Sequence, residues 1–206
     1  MKRILLVVSV LLSAALYAEG NIVEVRGGVD LGGQYNVEGN LLNKDVKFSY
    51  ELAVEYRREV ARNFELGAGI AYQDHGKLKS KTVGDFTSNG DLHDSVPLYA
   101  TARYNFKNST EVTPYVKLNL GYSFNVNDGS IEANDTQEEI RADIDAKDGF
   151  YYGIGAGVEY KGFIADLSYQ RNSSKVDLKN SSGISSSDGN ADYSRVTLGL
   201  GYNFGF

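Results

Sequence analysis

Along residues 196–206, apolar or aromatic side chains take every second position: Val196, Leu198, Leu200, Tyr202, Phe204 and Phe206. Thr197, Gly199, Gly201, Asn203 and Gly205 lie between them. A period of two is the signature of a strand with one greasy face and one small or polar face. The same alternation recurs upstream. One phase holds Val25 and Val29 against Glu24, Arg26, Asp30 and Gln34, with Val23, Leu31 and Tyr35 read on the greasy side. Next come Tyr50, Leu52, Val54 and Tyr56 against Ser49, Glu51, Glu55 and Arg57, a strand read from Val46 with Lys47 on its polar face. Leu66, Ala68, Ile70 and Tyr72 then oppose Glu65, Gly67, Gly69 and Gln73. Leu98, Ala100, Ala102 and Tyr104 oppose Tyr99, Thr101, Arg103 and Asn105. Val116, Leu118, Leu120 and Tyr122 oppose Tyr115, Lys117, Asn119 and Ser123. Tyr152, Ile154, Ala156 and Val158 oppose Tyr151, Gly153, Gly155, Gly157 and Glu159. Phe163, Ala165, Leu167 and Tyr169 oppose Asp166, Ser168 and Gln170. The pattern predicts eight strands.

Connections between them alternate in length. Those at 58–63, 107–112 and 161–162 are short; those at 36–45, 74–94, 127–148 and 172–192 are long and polar. Aromatics on the greasy phase gather at the strand ends, as do Tyr56, Phe64, Tyr104 and Phe106 near the short turns and Tyr50, Tyr72, Tyr122 and Phe124 near the long loops. Two aromatic girdles around an apolar band, an even strand number, and short turns opposite long loops predict an all-β, up-and-down, eight-stranded antiparallel transmembrane β-barrel. Each strand approaches the ~9–11 residues needed to cross a bilayer with tilt. A soluble sandwich would also alternate, but it would not need the girdles.

Residues 25–33 (Val-Arg-Gly-Gly-Val-Asp-Leu-Gly-Gly), 96–106, 113–124 and the final strand resemble the small eight-stranded outer-membrane barrels, the OmpA/OmpX-like family that includes opacity-type adhesins. The resemblance spans the chain after its first residues. It implies an outer-membrane location, short turns on the periplasmic side, and partners that include outer-membrane lipids and lipopolysaccharide. It also implies that Gly201, Tyr202, Phe204 and Phe206 form a C-terminal assembly signal read by the outer-membrane assembly machinery, although Leu200 stands where a polar residue is usual. A peptidoglycan-binding domain like the one that follows the OmpA barrel is not expected after Phe206.

Composition narrows the chemistry. With no cysteine among 206 residues, a disulfide framework, a thiolate nucleophile and a Cys-ligated zinc are excluded. Lys2 and Arg3, the apolar run 4–12 and the small residues to Ala18 read as a signal peptide over residues 1–18, cut after Ala18 or Ala15, leaving a barrel domain at 19–206. Cleavage would remove two basic residues and leave 19 against 27 acidic, which argues against a nucleic-acid partner.

On the inward phase, Glu24, Asp30, Glu51, Glu55, Glu65, Glu159 and Asp166 face Arg26, Lys47, Arg57, Arg103, Lys117 and Arg195. An eight-stranded barrel is just wide enough for its side chains to fill, so the expectation is a lumen ionic network acting as a plug; the alternative is a narrow channel for ions or small solutes. His75 and His93 bracket the second long loop, with Ser80, Ser88, Ser95, Asp74 and Asp94 nearby. No nucleophile-elbow motif accompanies them, so no catalytic residue is assigned and a lipid-modifying enzyme is disfavoured. The acidic loop 127–148 lacks EF-hand spacing, and neither metal nor cofactor is expected. Gly153-Ile-Gly-Ala-Gly157 is not a nucleotide loop, because no helix follows. Arg171, outward and just beyond Tyr169, is a possible lipid-headgroup contact. The serine-rich segment 173–189 is expected to be mobile. The function expected is structural or surface interaction through the outer loops: envelope integrity, adhesion to host surface molecules, or immune evasion by a monomer.

Overall fold

The computed structural model describes residues 20–37, 44–45, 49–76, 81–83, 86–91, 94–126, 129–134, 139–146, 148–179 and 185–205. In chain order the strands are β1 (Asn21–Val37), β2 (Lys44–Asp45), β3 (Tyr50–Ala61), β4 (Phe64–Asp74), β5 (Lys81–Val83), β6 (Phe86–Asp91), β7 (Ser95–Asn105), β8 (Val112–Asn125), β9 (Gly129–Asn134), β10 (Glu139–Ala146), β11 (Gly149–Tyr160), β12 (Phe163–Lys179) and β13 (Ser185–Gly205). No helix occurs among the described residues.

Eight of these strands close a barrel. β1 pairs β3, then the order runs β3–β4–β7–β8–β11–β12–β13, and β13 returns to β1, every pair antiparallel. Closure leaves no unpaired edge in the wall, the condition a bilayer imposes on a sheet. The alternation in sequence becomes inside and outside. Leu52, Leu98, Leu118, Ile154, Leu167 and Leu200 stand exposed on the outer surface, while Glu51, Tyr99, Lys117, Gln170 and Thr197 are buried.

The short turns follow backbone chemistry. β11 and β12 are joined by Lys161 and Gly162 at φ 52° and 86°. Two consecutive left-handed residues make the hairpin turn whose twist matches the flanking strands. Asn63, at φ 66°, closes β3–β4, and asparagine tolerates that region better than most residues. Aromatic pairs cluster beside these turns: Phe163–Tyr202 and Tyr202–Phe204 stack edge-on at 5.0 and 4.8 Å, and Tyr104–Phe106 at 5.0 Å.

Three expectations need correction. A bulge between Asp30 and Gly32 shifts the β1 register. One extra residue reverses the phase of everything beyond it, so Gln34, expected inside, is exposed and Gly33 is buried. Val23 is outward in phase but buried, since its cross-strand neighbours are Tyr56 and Phe204. The long connections also carry strands. The segment expected to be mobile after Asn172 continues the β12–β13 ladder to Lys179 and resumes at Ser185. Above the barrel, β10 pairs with β12, β9 with β10, β6 with β9 and β5 with β6, so the second, third and fourth connections share one sheet. The expected signal peptide, Lys47, His93 and Phe206 lie outside the described residues.

Candidate functional site

The inner face builds two stacked polar tiers. In the periplasmic half, Arg57 on β3 is the hub. Its Nη1 lies 2.7 Å from both Glu24 on β1 and Glu55 on its own strand, and its Nε lies 2.9 Å from Glu65 on β4. Its Nη2 donates to Asn203 on β13 at 3.1 Å. Lys117 on β8 bridges Glu24 and Glu55 at 3.2 and 3.1 Å. Arg103 on β7 pairs with Glu159, reaches Glu24 at 3.7 Å, and lays its guanidinium 3.7 Å over the Tyr115 ring. Six strands, β1, β3, β4, β7, β8 and β11, therefore meet through one web of charge. Arg57, Glu24 and Glu55 are sealed from solvent, whereas Glu159 opens to the lower mouth at 29 % side-chain exposure.

The outer half relies more on amides and hydroxyls. Arg26 holds Glu51 at 2.5 Å and Asp166 at 2.6 Å, and Arg195 holds Glu51 at 2.9 Å. Around these three ion pairs, Gln73 donates to Glu51 at 2.7 Å, and Gln170 accepts from Arg195 at 2.6 Å. Asn172 donates to Gln73, Ser95 and Ser123 at 2.9–3.1 Å. Asp30 accepts from Ser49 and Thr197 and lies 3.8 Å from Arg195. An apolar layer of Ala53, Ala71, Tyr99 and Tyr151 sits at mid-lumen, with the two tyrosine rings 5.3 Å apart.

Glycines make room for this crowd. A Cβ at Gly199 would lie 2.2 Å from Nε of Arg26, and one at Gly69 would lie 2.7 Å from the Tyr99 ring. The inward glycines are thus notches in the wall into which long side chains fold. What space is left between Lys117, Asn119, Glu55 and Gln170 is a cavity of about 10 Å³, the size of a single water and no more.

All twelve charged positions of the expected lumen network, namely Glu24, Arg26, Asp30, Glu51, Glu55, Arg57, Glu65, Arg103, Lys117, Glu159, Asp166 and Arg195, line the inside of the barrel. Sequence reasoning missed the hydrogen-bonding outer tier. His75 and Ser95 come together there, with Nε2 of His75 2.8 Å from the Ser95 hydroxyl and both residues buried. The pair lies beside a guanidinium rather than a carboxylate. Arg195 reaches Nδ1 of His75 at 3.5 Å, so a donor occupies the place where a catalytic carboxylate would accept. On the other side of the ring, the Ser95 hydroxyl donates to Gln73 at 3.1 Å. Tyr193, buried edge-on against His75 at 4.3 Å, lies on the same inward phase as Arg195 and Thr197, just ahead of the alternating segment 196–206.

Arg171 faces outward at the upper end of the wall, its side chain 36 % exposed and paired to Asp192 on β13. Gly201, Tyr202 and Phe204 sit where β13 meets both β1 and β12: Tyr202 pairs with Val25 on one side and Phe163 on the other. Among the described residues no group of three or more His, Asp or Glu could hold a metal ion.

Comparison with known proteins agrees with this architecture. The model of the outer membrane protein beta-barrel domain matches residues 4–204. A Pasteurella multocida (strain Pm70) protein, PM1543, is 25 % identical over 207 residues, covering 85 % of this chain and 87 % of its own. Among solved structures, the outer membrane protein OprG from Pseudomonas aeruginosa superposes with a TM-score of 0.54 at 13 % identity, over 91 % of this chain and 97 % of its own. The outer membrane protease OmpT from Escherichia coli gives 0.52 at 11 %, over 89 % and 97 %. With a family match across almost its whole length and a closed lipid-facing wall, this chain belongs to the outer membrane protein beta-barrel domain family and is a protein of the bacterial outer membrane.

Proposed function

We propose that the barrel is a non-conducting, non-enzymatic anchor that presents its outer strands for interaction at the cell surface. The observation that carries this reading is the contrast between a lumen crossed by paired charges, whose cavity among Lys117, Asn119, Glu55 and Gln170 measures about 10 Å³, and long connections that pair with one another into a sheet beyond the barrel. Function borne on outer connections over a rigid scaffold suits adhesion to host surface molecules, immune evasion or envelope integrity. The barrel would act as a monomer, delivered by the outer-membrane assembly machinery through its last strand. Arg171, at the level of Tyr152 and Tyr169, would touch lipopolysaccharide phosphate when its pair with Asp192 loosens; Arg171→Glu with unchanged lipopolysaccharide association would reject that contact.

The decisive experiment compares cells expressing the intact chain with cells whose residues 77–93 and 127–147 are replaced by short turns, on a panel of host cells and matrix proteins. Binding should vanish while the barrel still assembles, read by its heat-modifiable gel mobility. Binding that survives both deletions would contradict the reading.

A further inference from the structure

We infer that the barrel wall carries a seat for one acyl chain of a membrane lipid, built over Gly27. Every neighbour of Gly27 on the outer face has a side chain: its cross-strand partners are Leu200 on β13 and Leu52 on β3. Gly27 has none, and the wall is notched there. The notch widens into a groove of about 360 Å³ lined by Val25, Leu52, Val54, Ile70, Tyr72 and Val96, with an almost wholly apolar surface.

Two features choose the occupant. The groove is continuous with the apolar belt that this outer-membrane barrel turns to lipid, so it opens onto hydrocarbon. Its upper end is marked by Tyr72, whose hydroxyl donates to Asp94 at 2.7 Å and whose ring lies 6.3 Å from Tyr50. That end is polar and belongs to the aromatic girdle, where headgroups lie. A slot that is apolar along its length and polar at the girdle end has the shape and polarity of one lipid tail beneath its headgroup. A tail seated there packs against Leu52 and the flanking valines on more than one side, gaining dispersion contacts that a flat wall does not offer.

The position also permits a clean test. A Cβ at Gly27 would meet only Cδ2 of Leu52, at an ordinary 3.7 Å, so a larger residue fits the fold while filling the seat. The full chain, released from nanodiscs of dimyristoyl phosphatidylglycerol into a native mass spectrometer, should keep one lipid under activation that strips the rest. Gly27→Phe should lower the one-lipid fraction about tenfold, the effect of losing roughly ten dispersion contacts. Gly27→Ile serves as the smaller filler, and heat-modifiable mobility verifies that each variant is folded. Leu167→Ala, exposed on the far wall, should leave the fraction unchanged. The inference is overturned if the folded fillers retain the lipid, if Leu167→Ala removes it as well, which would assign retention to the apolar belt at large, or if the wild type instead yields a dimer that the fillers abolish.

Discussion

In the periplasmic half of the lumen, Arg57, Arg103 and Lys117 hold Glu24, Glu55, Glu65 and Glu159 in direct ion pairs. In the outer half, Arg26 and Arg195 share Glu51, and most remaining contacts run through Gln73, Gln170, Asn172, Ser95 and Ser123. Both tiers are buried, but they depend on their partners differently. A buried charge that loses its counter-charge cannot be rehydrated, whereas an amide that loses one of several neighbours is left with the others. The lower tier is therefore the rigid stopper, and the upper tier is the part that can tolerate change near the loops where function is expected.

Arg57→Met breaks this comparison most severely. It strands Glu65 and leaves Glu24 and Glu55 to share Lys117, and we expect a loss of ~3–5 kcal/mol, measured by urea unfolding of the barrel in phospholipid vesicles. Gly199→Ala should cost ~1–3 kcal/mol by the same measurement, because the added methyl displaces an Arg26 guanidinium already fixed by Glu51 and Asp166. Asn172→Ala in the upper tier should cost about 1 kcal/mol, since Gln73 and Ser95 keep each other as partners. If Asn172→Ala proves as costly as Arg57→Met, the two tiers are not different in kind. Outside both, Lys161→Gly should change stability by less than ~1 kcal/mol: relief of the left-handed backbone offsets loss of an exposed pair with Glu111 and of packing on Tyr160.

Much of this was legible in the chain. Period-two alternation fixes which side chains face in, so the charged lumen set follows from phase alone, as do the girdle positions of Tyr104, Phe163 and Phe204. What the alternation could not reveal is register. The bulge after Asp30 flips Gln34 outward, and nothing local marks it beyond Gly32 and Gly33. Nor could phase foresee partners contributed from distant strands: His75 meets Ser95, Arg195 and Tyr193 only because β4, β7 and β13 converge at the outer mouth. The fourth connection was misjudged for a related reason. Its serines look like a loop by composition, but the β12–β13 ladder takes in Ser173, Ser174, Ser185 and Ser186 because paired backbones carry it onward.

Closure of the lumen is the property on which the anchor role depends most directly. Single-channel recording of the purified, folded barrel in a planar bilayer at moderate salt tests it: no unitary conductance steps should appear in the wild type. Reproducible, discrete steps from heat-modifiable, correctly folded wild-type protein would contradict it and make the paired charges a gate.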